Sequence, residues 1–254
     1  FQKATTWLRA WDLAASWRPD ELFTLSTRSA RLIERIYQRS AQIIYPALPN
    51  LELAPLPDLA AYLQTQSFLL SLSRLVSYKR IDLLIKVAVD RGERVVIVGT
   101  GSARSRLAQL FPSLTLQRGR SESCLDAFRR AVESEKLIVF LATVTERERV
   151  TLLRAARAVA MLGAEDFGLV ALEAIVARRP VLLNAAAGAS EVLRSYPAAI
   201  RLPSPDMTTV AQALEASRGL KVSAEQVSSL KRRFSPTRFI EQIKEIVYDG
   251  VTHD

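Results

Sequence analysis

The chain carries a series of short apolar blocks that lack polar alternation: Phe68 to Leu72, Arg94 to Val98, Leu137 to Leu141, Ala158 to Leu162 and Pro180 to Leu183. A strand with one face in water alternates apolar and polar residues. These blocks do not, so they predict strands buried on both faces. None approaches the roughly 18 residues that span a bilayer. Between them lie stretches with helical periodicity: Ile81 to Val89, Ser105 to Leu110, Cys124 to Glu133, Glu148 to Arg157 and Leu169 to Ala177. Leu114 to Leu116 reads as a further short strand, and Glu191 begins a short helix. Strands and helices in alternation predict an α/β fold, a Rossmann-like parallel sheet with helices on both faces, over roughly residues 58 to 233. Thr209 to Ala216 and Arg238 to Tyr248 read as closing helices.

Upstream, helices are predicted over residues 3 to 17 and Ser29 to Gln38, and short strands over Leu22 to Ser26 and Gln42 to Tyr45. Prolines 46, 49, 55 and 57 then mark a linker and a domain boundary. The expected organisation is therefore 1–48 as the end of a first domain with its hinge, 49–233 as the α/β domain, and 234–254 as a final helix and tail. The first residue is Phe1, no signal-peptide pattern follows, and Trp7, Trp11 and Trp17 lie in apolar text at the start. The expectation is a piece of a larger protein.

Several classes of chemistry are disfavoured. The single cysteine, Cys124, excludes an internal disulfide framework and a Cys-rich metal site. The single histidine, His253, stands one residue from the end, which disfavours a Ser-His-Asp triad and a multi-His metal centre. No metal is expected. Lys and Arg total 35 against 26 Asp and Glu, a net charge of +9. That fits a polyanionic partner, a phosphorylated ligand or a solubilising surface. The arginines are scattered and alternate with no aromatic platform, which argues against a nucleic-acid partner.

Ligands of such sheets bind outside the carboxyl ends of the strands. The loop Ser73 to Asp82 places Arg74 and Lys79 around a helix start, where unpaired N–H groups attract anions; the alternative is a solvated basic turn. The next loop holds Gly99 and Gly101, which allow close backbone approach but are also common turn chemistry. The loop after Leu162 holds Glu165, then Phe167, Gly168 and Leu169 opening a helix that carries Glu173 among apolar residues. A carboxylate there needs a partner. That partner is either an arginine or paired hydroxyls, on a sugar for Glu165 and on a ribose for Glu173.

Glu165 and Glu173 in Glu-x7-Glu spacing, the Ser-Arg-x4-Lys-Arg-x-Asp loop from Ser73 and the Gly-x-Gly loop at Gly99 together resemble the retaining GT-B glycosyltransferases of the family 4 (group 1) type. Trp11-Asp12, Leu25-Ser26 and Ile43 to Pro46 are similar to the hinge of bacterial mannosyltransferase-like members, and Phe234 to Phe239 to their C-terminal crossover helix. The resemblance implies the donor-binding domain of a GT-B fold plus a remnant of the first domain. It implies retaining transfer of a hexose, with mannose suggested by the hinge, from a GDP- or UDP-linked donor to a glycan or lipid-linked acceptor, as in polysaccharide biosynthesis, without a metal or other cofactor. Arg74 and Lys79 would bind the donor diphosphate and, with Glu165 on the sugar hydroxyls, form the catalytic set. Phe167, Gly168 and Leu169 would present amides, Glu173 would hold the ribose, Gly99 and Gly101 would line the cleft, and Thr143, Val144 and Thr145 would contact the base.

The resemblance further implies a missing N-terminal acceptor domain, an inactive fragment in its absence, and a cytoplasmic location with peripheral contact at the inner face of the membrane. The chain departs from the family in an extra helix and strand within 118–136 and in Ala185 to Gly188, where adjacent glycines are usual. Glu191 reads either as a donor contact or as a helix cap. Two other readings remain at this point: an epimerase-type GT-B enzyme, and a non-catalytic basic binding module.

Overall fold

The computed structural model describes residues 2–49 and 51–251. They fall into two compact units, one of residues 48–233 and one of residues 2–47 with 234–251. In the smaller unit, helix α1 (Gln2–Ala15) is followed by β1 (Phe23–Thr24), α2 (Thr27–Tyr37) and β2 (Gln42–Ile43). β1 and β2 pair in parallel. Ser26 caps α2 by accepting from the Ser29 amide. The same unit holds the last helix, α12 (Pro236–Val251), and Phe234 stacks tilted on Tyr45 at 5.7 Å.

The larger unit runs α3 (Pro57–Gln64), β3 (Phe68–Leu72), α4 (Ile81–Asp90), β4 (Arg94–Val98), α5 (Arg104–Ala108), β5 (Thr115–Gln117), α6 (Cys124–Glu133), β6 (Ile138–Ala142), α7 (Glu146–Ala155), β7 (Ala158–Met161), α8 (Leu169–Val176), β8 (Val181–Asn184), α9 (Ala189–Val192), β9 (Ala199–Leu202), α10 (Met207–Ala216) and α11 (Ala224–Arg233). Its strands form one seven-stranded sheet in the order β5-β6-β4-β3-β7-β8-β9, parallel at every pairing. This is the Rossmann-like architecture that the unalternating apolar blocks imply. Leu69, Val95, Ile97, Ile138, Phe140, Ala158 and Leu182 are sealed on one side of the sheet with Leu84, Ile85 and Leu107 of the helices. Each fully buried side chain of this size contributes about 1.5–3 kcal/mol.

Three elements differ from expectation. α3 begins at Pro57, which reads as linker punctuation but occupies the first helical turn, where a missing N–H costs nothing. β9 is an edge strand interrupted by the exposed Arg201, so no continuous apolar run marks it. α11 buries only Leu230, too little for a periodic signal. The segment 118–136 also finds its place. β5 lies outside β6 at the sheet edge, so β6 pairs directly with β4. Within 118–136 itself the structure has the helix α6 and no strand, so the expected extra strand is corrected: β5 ends before the segment and β6 begins after it. A register shift between Ile97 and Val98, with Ala142 at φ 53°, bends the exit of β6 into the Thr143 loop.

Candidate functional site

The loops that leave β3, β4, β6 and β7 lie at the carboxyl ends of adjacent strands. Their glycines serve contact between backbones. A Cβ on Gly99 (φ +144°) would meet the Ser73 carbonyl oxygen at 1.9 Å, and one on Gly101 (φ +154°) the Leu75 carbonyl oxygen at 2.4 Å. The first two loops are stitched together there: the Leu75 amide donates to Thr100 O at 2.8 Å, and the Ala103 amide to Leu75 O at 2.8 Å. Gly163 does the same for the loop after β7. Its Cβ would lie 2.7 Å from Tyr78 O and 2.8 Å from Lys79 Cα. That clamps the turn carrying Lys79 against the loop carrying Glu165.

Lys79 and Glu165, 86 residues apart in sequence, form an ion pair, with side chains 11% and 16% exposed. Lys79 also lies 5.0 Å from the centroid of the Tyr78 ring. Arg74 is exposed, and its guanidinium makes no hydrogen bond or ion pair among the described residues. Beside these groups α8 begins at Gly168 (φ 98°) without a side-chain cap. Its first amides therefore keep the polarity that favours anions. The loop before it is held from behind: Gly188 N donates to Glu165 O at 3.1 Å, Ala189 N to Phe167 O at 2.7 Å, and the Phe167 ring is buried.

Glu173 sits one to two turns into α8, 5% exposed. It pairs with Arg149 of α7, so the arginine partner that sequence logic offered is present. Burial pushes its carboxyl above the ordinary carboxylate range, and Arg149 offsets only part of that. Arg149 in turn holds Glu146 at 2.9 Å. No hydrogen bond or ion pair among the described residues joins the Arg149–Glu173 pair to the Lys79–Glu165 pair.

Thr143, Val144 and Thr145 leave β6 in the same row of loops. Thr145 caps α7 in a reciprocal box with Glu148. Arg118, from the segment after β5, donates to Thr143 O and to Cys124 Sγ at 3.0 Å, and faces Glu148 at 3.5 Å. Burial works against ionisation of Glu148, but the Thr145 amide and hydroxyl and Arg118 hold its carboxyl below the usual range.

Sequence reasoning missed Gly163, Arg118 and Arg149. Gly163 carried a local signal, a glycine directly after a strand. The two arginines were indistinguishable from solvated ones. His253 lies outside the described residues. Among the described residues no group of three or more His, Cys, Asp or Glu is placed to hold a metal ion, and no helix is long and apolar enough to cross a membrane.

A family model described as Glycosyl transferases group 1 matches residues 61–218. No curated protein matches the chain by sequence. Among solved structures, sucrose-phosphate synthase from Thermosynechococcus elongatus superposes with a TM-score of 0.71 at 16% identity, over 97% of this chain and 62% of that one. HepE from Anabaena in complex with UDP-glucose gives a TM-score of 0.74 at 17% identity, over 95% of this chain and 67% of that one. The pneumococcal O-GlcNAc transferase GtfA in complex with UDP and GlcNAc gives 0.66 at 16% identity, over 96% of this chain and 47% of that one. The chain thus spans about 62% of the length of the synthase.

Proposed function

The chain belongs to the glycosyl transferases group 1, and from that premise we propose that it binds a nucleotide-diphosphate sugar at the carboxyl ends of β3, β4, β6 and β7 and supports retaining transfer of its hexose to a glycan or lipid-linked acceptor. One observation carries the reading. Lys79, Glu165 and the uncapped start of α8 are clamped into one place by Gly163 and the Gly188–Ala189 amides. A cation, a carboxylate and a helix start without a side-chain cap together suit a ligand that is anionic at one end and rich in hydroxyls at the other.

As the glycosidic bond breaks, negative charge grows on the departing diphosphate. Groups that meet that charge more strongly in the transition state than in the ground state accelerate the step. Lys79, Arg74 and the α8 amides are those groups. Lys79 is paired with Glu165. The diphosphate competes for Lys79, and Glu165 is thereby released to accept hydrogen bonds from the sugar hydroxyls. Glu173 accepts from the ribose through the carboxylate oxygen that Arg149 leaves unbonded. The Thr143 loop, held by Arg118, faces the base. UDP, bound in HepE and GtfA structures, and GDP, suggested by the mannosyltransferase-like hinge at Trp11 and Asp12, are the two nucleotides to compare.

Calorimetric titration with UDP, GDP and ADP tests the reading. At least one diphosphate is expected to bind, more weakly in Lys79→Ala. Absence of binding by all three at millimolar levels, in a sample folded by circular dichroism, refutes it.

A further inference from the structure

The opposite end of the sheet has a site of its own. The segments entering β3, β7 and β8, three neighbouring strands, border an open cleft of about 530 Å³ together with α3 and the last turn of α7. β3 is five residues long, so the cleft lies roughly 16 Å from the Lys79 loop, at about 3.3 Å per residue. The volume falls in the range of small-molecule sites, about 300–1,000 Å³.

Its charge is one-sided. Arg154, Arg157 and Arg179 line it, and no Asp or Glu does among the described residues. Arg157 is neutralised by Glu93. Arg154 donates to a neutral carbonyl, Leu51 O, at 2.8 Å. Arg179 has no partner for its guanidinium among the described residues, and its Nε is sealed from solvent without a hydrogen bond. Burial pushes the Arg179 guanidinium below its ordinary value. Its backbone is fixed meanwhile: the Arg179 amide donates to Ala174 O at 2.8 Å in the tight turn between α8 and β8. An uncompensated cation that is held in place and turned into a cleft is costly unless an anion arrives. Two guanidinium forks without acids match a dianion with several oxygens. Leu63, Gln64 and Ser67 also line the cleft.

We propose that this cleft binds the phosphoryl group of a small phosphorylated metabolite, held between Arg154 and Arg179 at the amino ends of the strands. The site is separate from the one proposed for the nucleotide sugar and shares no residue with it.

Titrating the whole chain with glucose 6-phosphate, inorganic phosphate and glucose tests this. Glucose 6-phosphate and inorganic phosphate are expected to bind, and uncharged glucose is not. Arg179→Gln and Arg154→Gln should each weaken glucose 6-phosphate by at least about tenfold, the loss of one charged hydrogen bond, and leave UDP binding as it is. If Arg179→Gln does not fold, Arg154→Gln carries the same comparison. The proposal falls if neither phosphate binds the folded chain, if affinity survives both substitutions, or if Lys79→Ala removes it. A failure of UDP to bind counts against the nucleotide-sugar reading alone.

Discussion

Replacing Glu165 by Gln separates the competition proposed for Lys79 from a simple additive site. Lys79 is held by Glu165 with both side chains mostly out of water, 11% and 16% exposed. The clamp at Gly163, with less than 3 Å to the Tyr78 and Lys79 backbone, leaves the turn little room to relax. A pair in this setting couples by about 1–2 kcal/mol, between the surface and fully buried limits. A diphosphate that takes Lys79 must first overcome that coupling. Glu165→Gln removes the competing charge, so UDP or GDP should bind up to about tenfold more tightly, 1.4 kcal/mol being one decade. The nucleotide sugar should gain less than the free diphosphate, because its hydroxyls lose their carboxylate acceptor. Lys79→Ala should act in the other direction and weaken the diphosphate by about ten- to a hundredfold, the value of a charged hydrogen bond. Calorimetry on the three proteins reads the affinities, and urea unfolding of wild type, the two single variants and Lys79→Ala/Glu165→Gln reads the coupling. If Glu165→Gln weakens UDP as much as Lys79→Ala does, or if the coupling is below about 0.3 kcal/mol, additivity holds and the competition is refuted.

Three further outcomes follow from particular residues. Glu173 has a folded pKa above its ordinary 4.5, so the native state holds the proton longer than the unfolded chain; its contribution to stability falls as pH rises from 4.5 through the folded value. Relative to wild type, Glu173→Gln should therefore become steadily less destabilising across that window in urea titrations, and a difference independent of pH would contradict the raised value. Gly99→Ala should cost about 3 kcal/mol or more, because φ is +144° and Ser73 O lies 1.9 Å from the new Cβ, whereas Gly92→Ala, at φ +64° in open space, should cost about 1 kcal/mol; equal thermal shifts would show that the two loops do not depend on this approach. Cys124 is 1% exposed, and burial first, then Glu148, pushes its thiol up to about 12. Iodoacetamide at pH 8 should modify it only at the rate of unfolding, and rapid labelling of the native protein would contradict that placement.

The sequence by itself determined the layers. Apolar blocks without alternation have one low-energy use, strands covered on both faces, and Phe68–Leu72 and Arg94–Val98 appear where the pattern places them. It also determined the edge at which the candidate ligand loops lie, because parallel strands bring all their carboxyl ends to one side. What it left open depends on distance in space. Glu173 had two admissible partners, and only the packing of α7 on α8 brings Arg149 to it. Lys79 and Glu165 sit on loops 86 residues apart, and the absence of a Cβ at Gly163 is what lets those loops touch. Arg118 and Arg179 look alike in sequence. One acquires Glu148 and a carbonyl, while the other acquires no acid among the described residues. A charge shows its type in the sequence, but its energy depends on solvent exclusion and on the nearest opposite charge, and both are set by the fold.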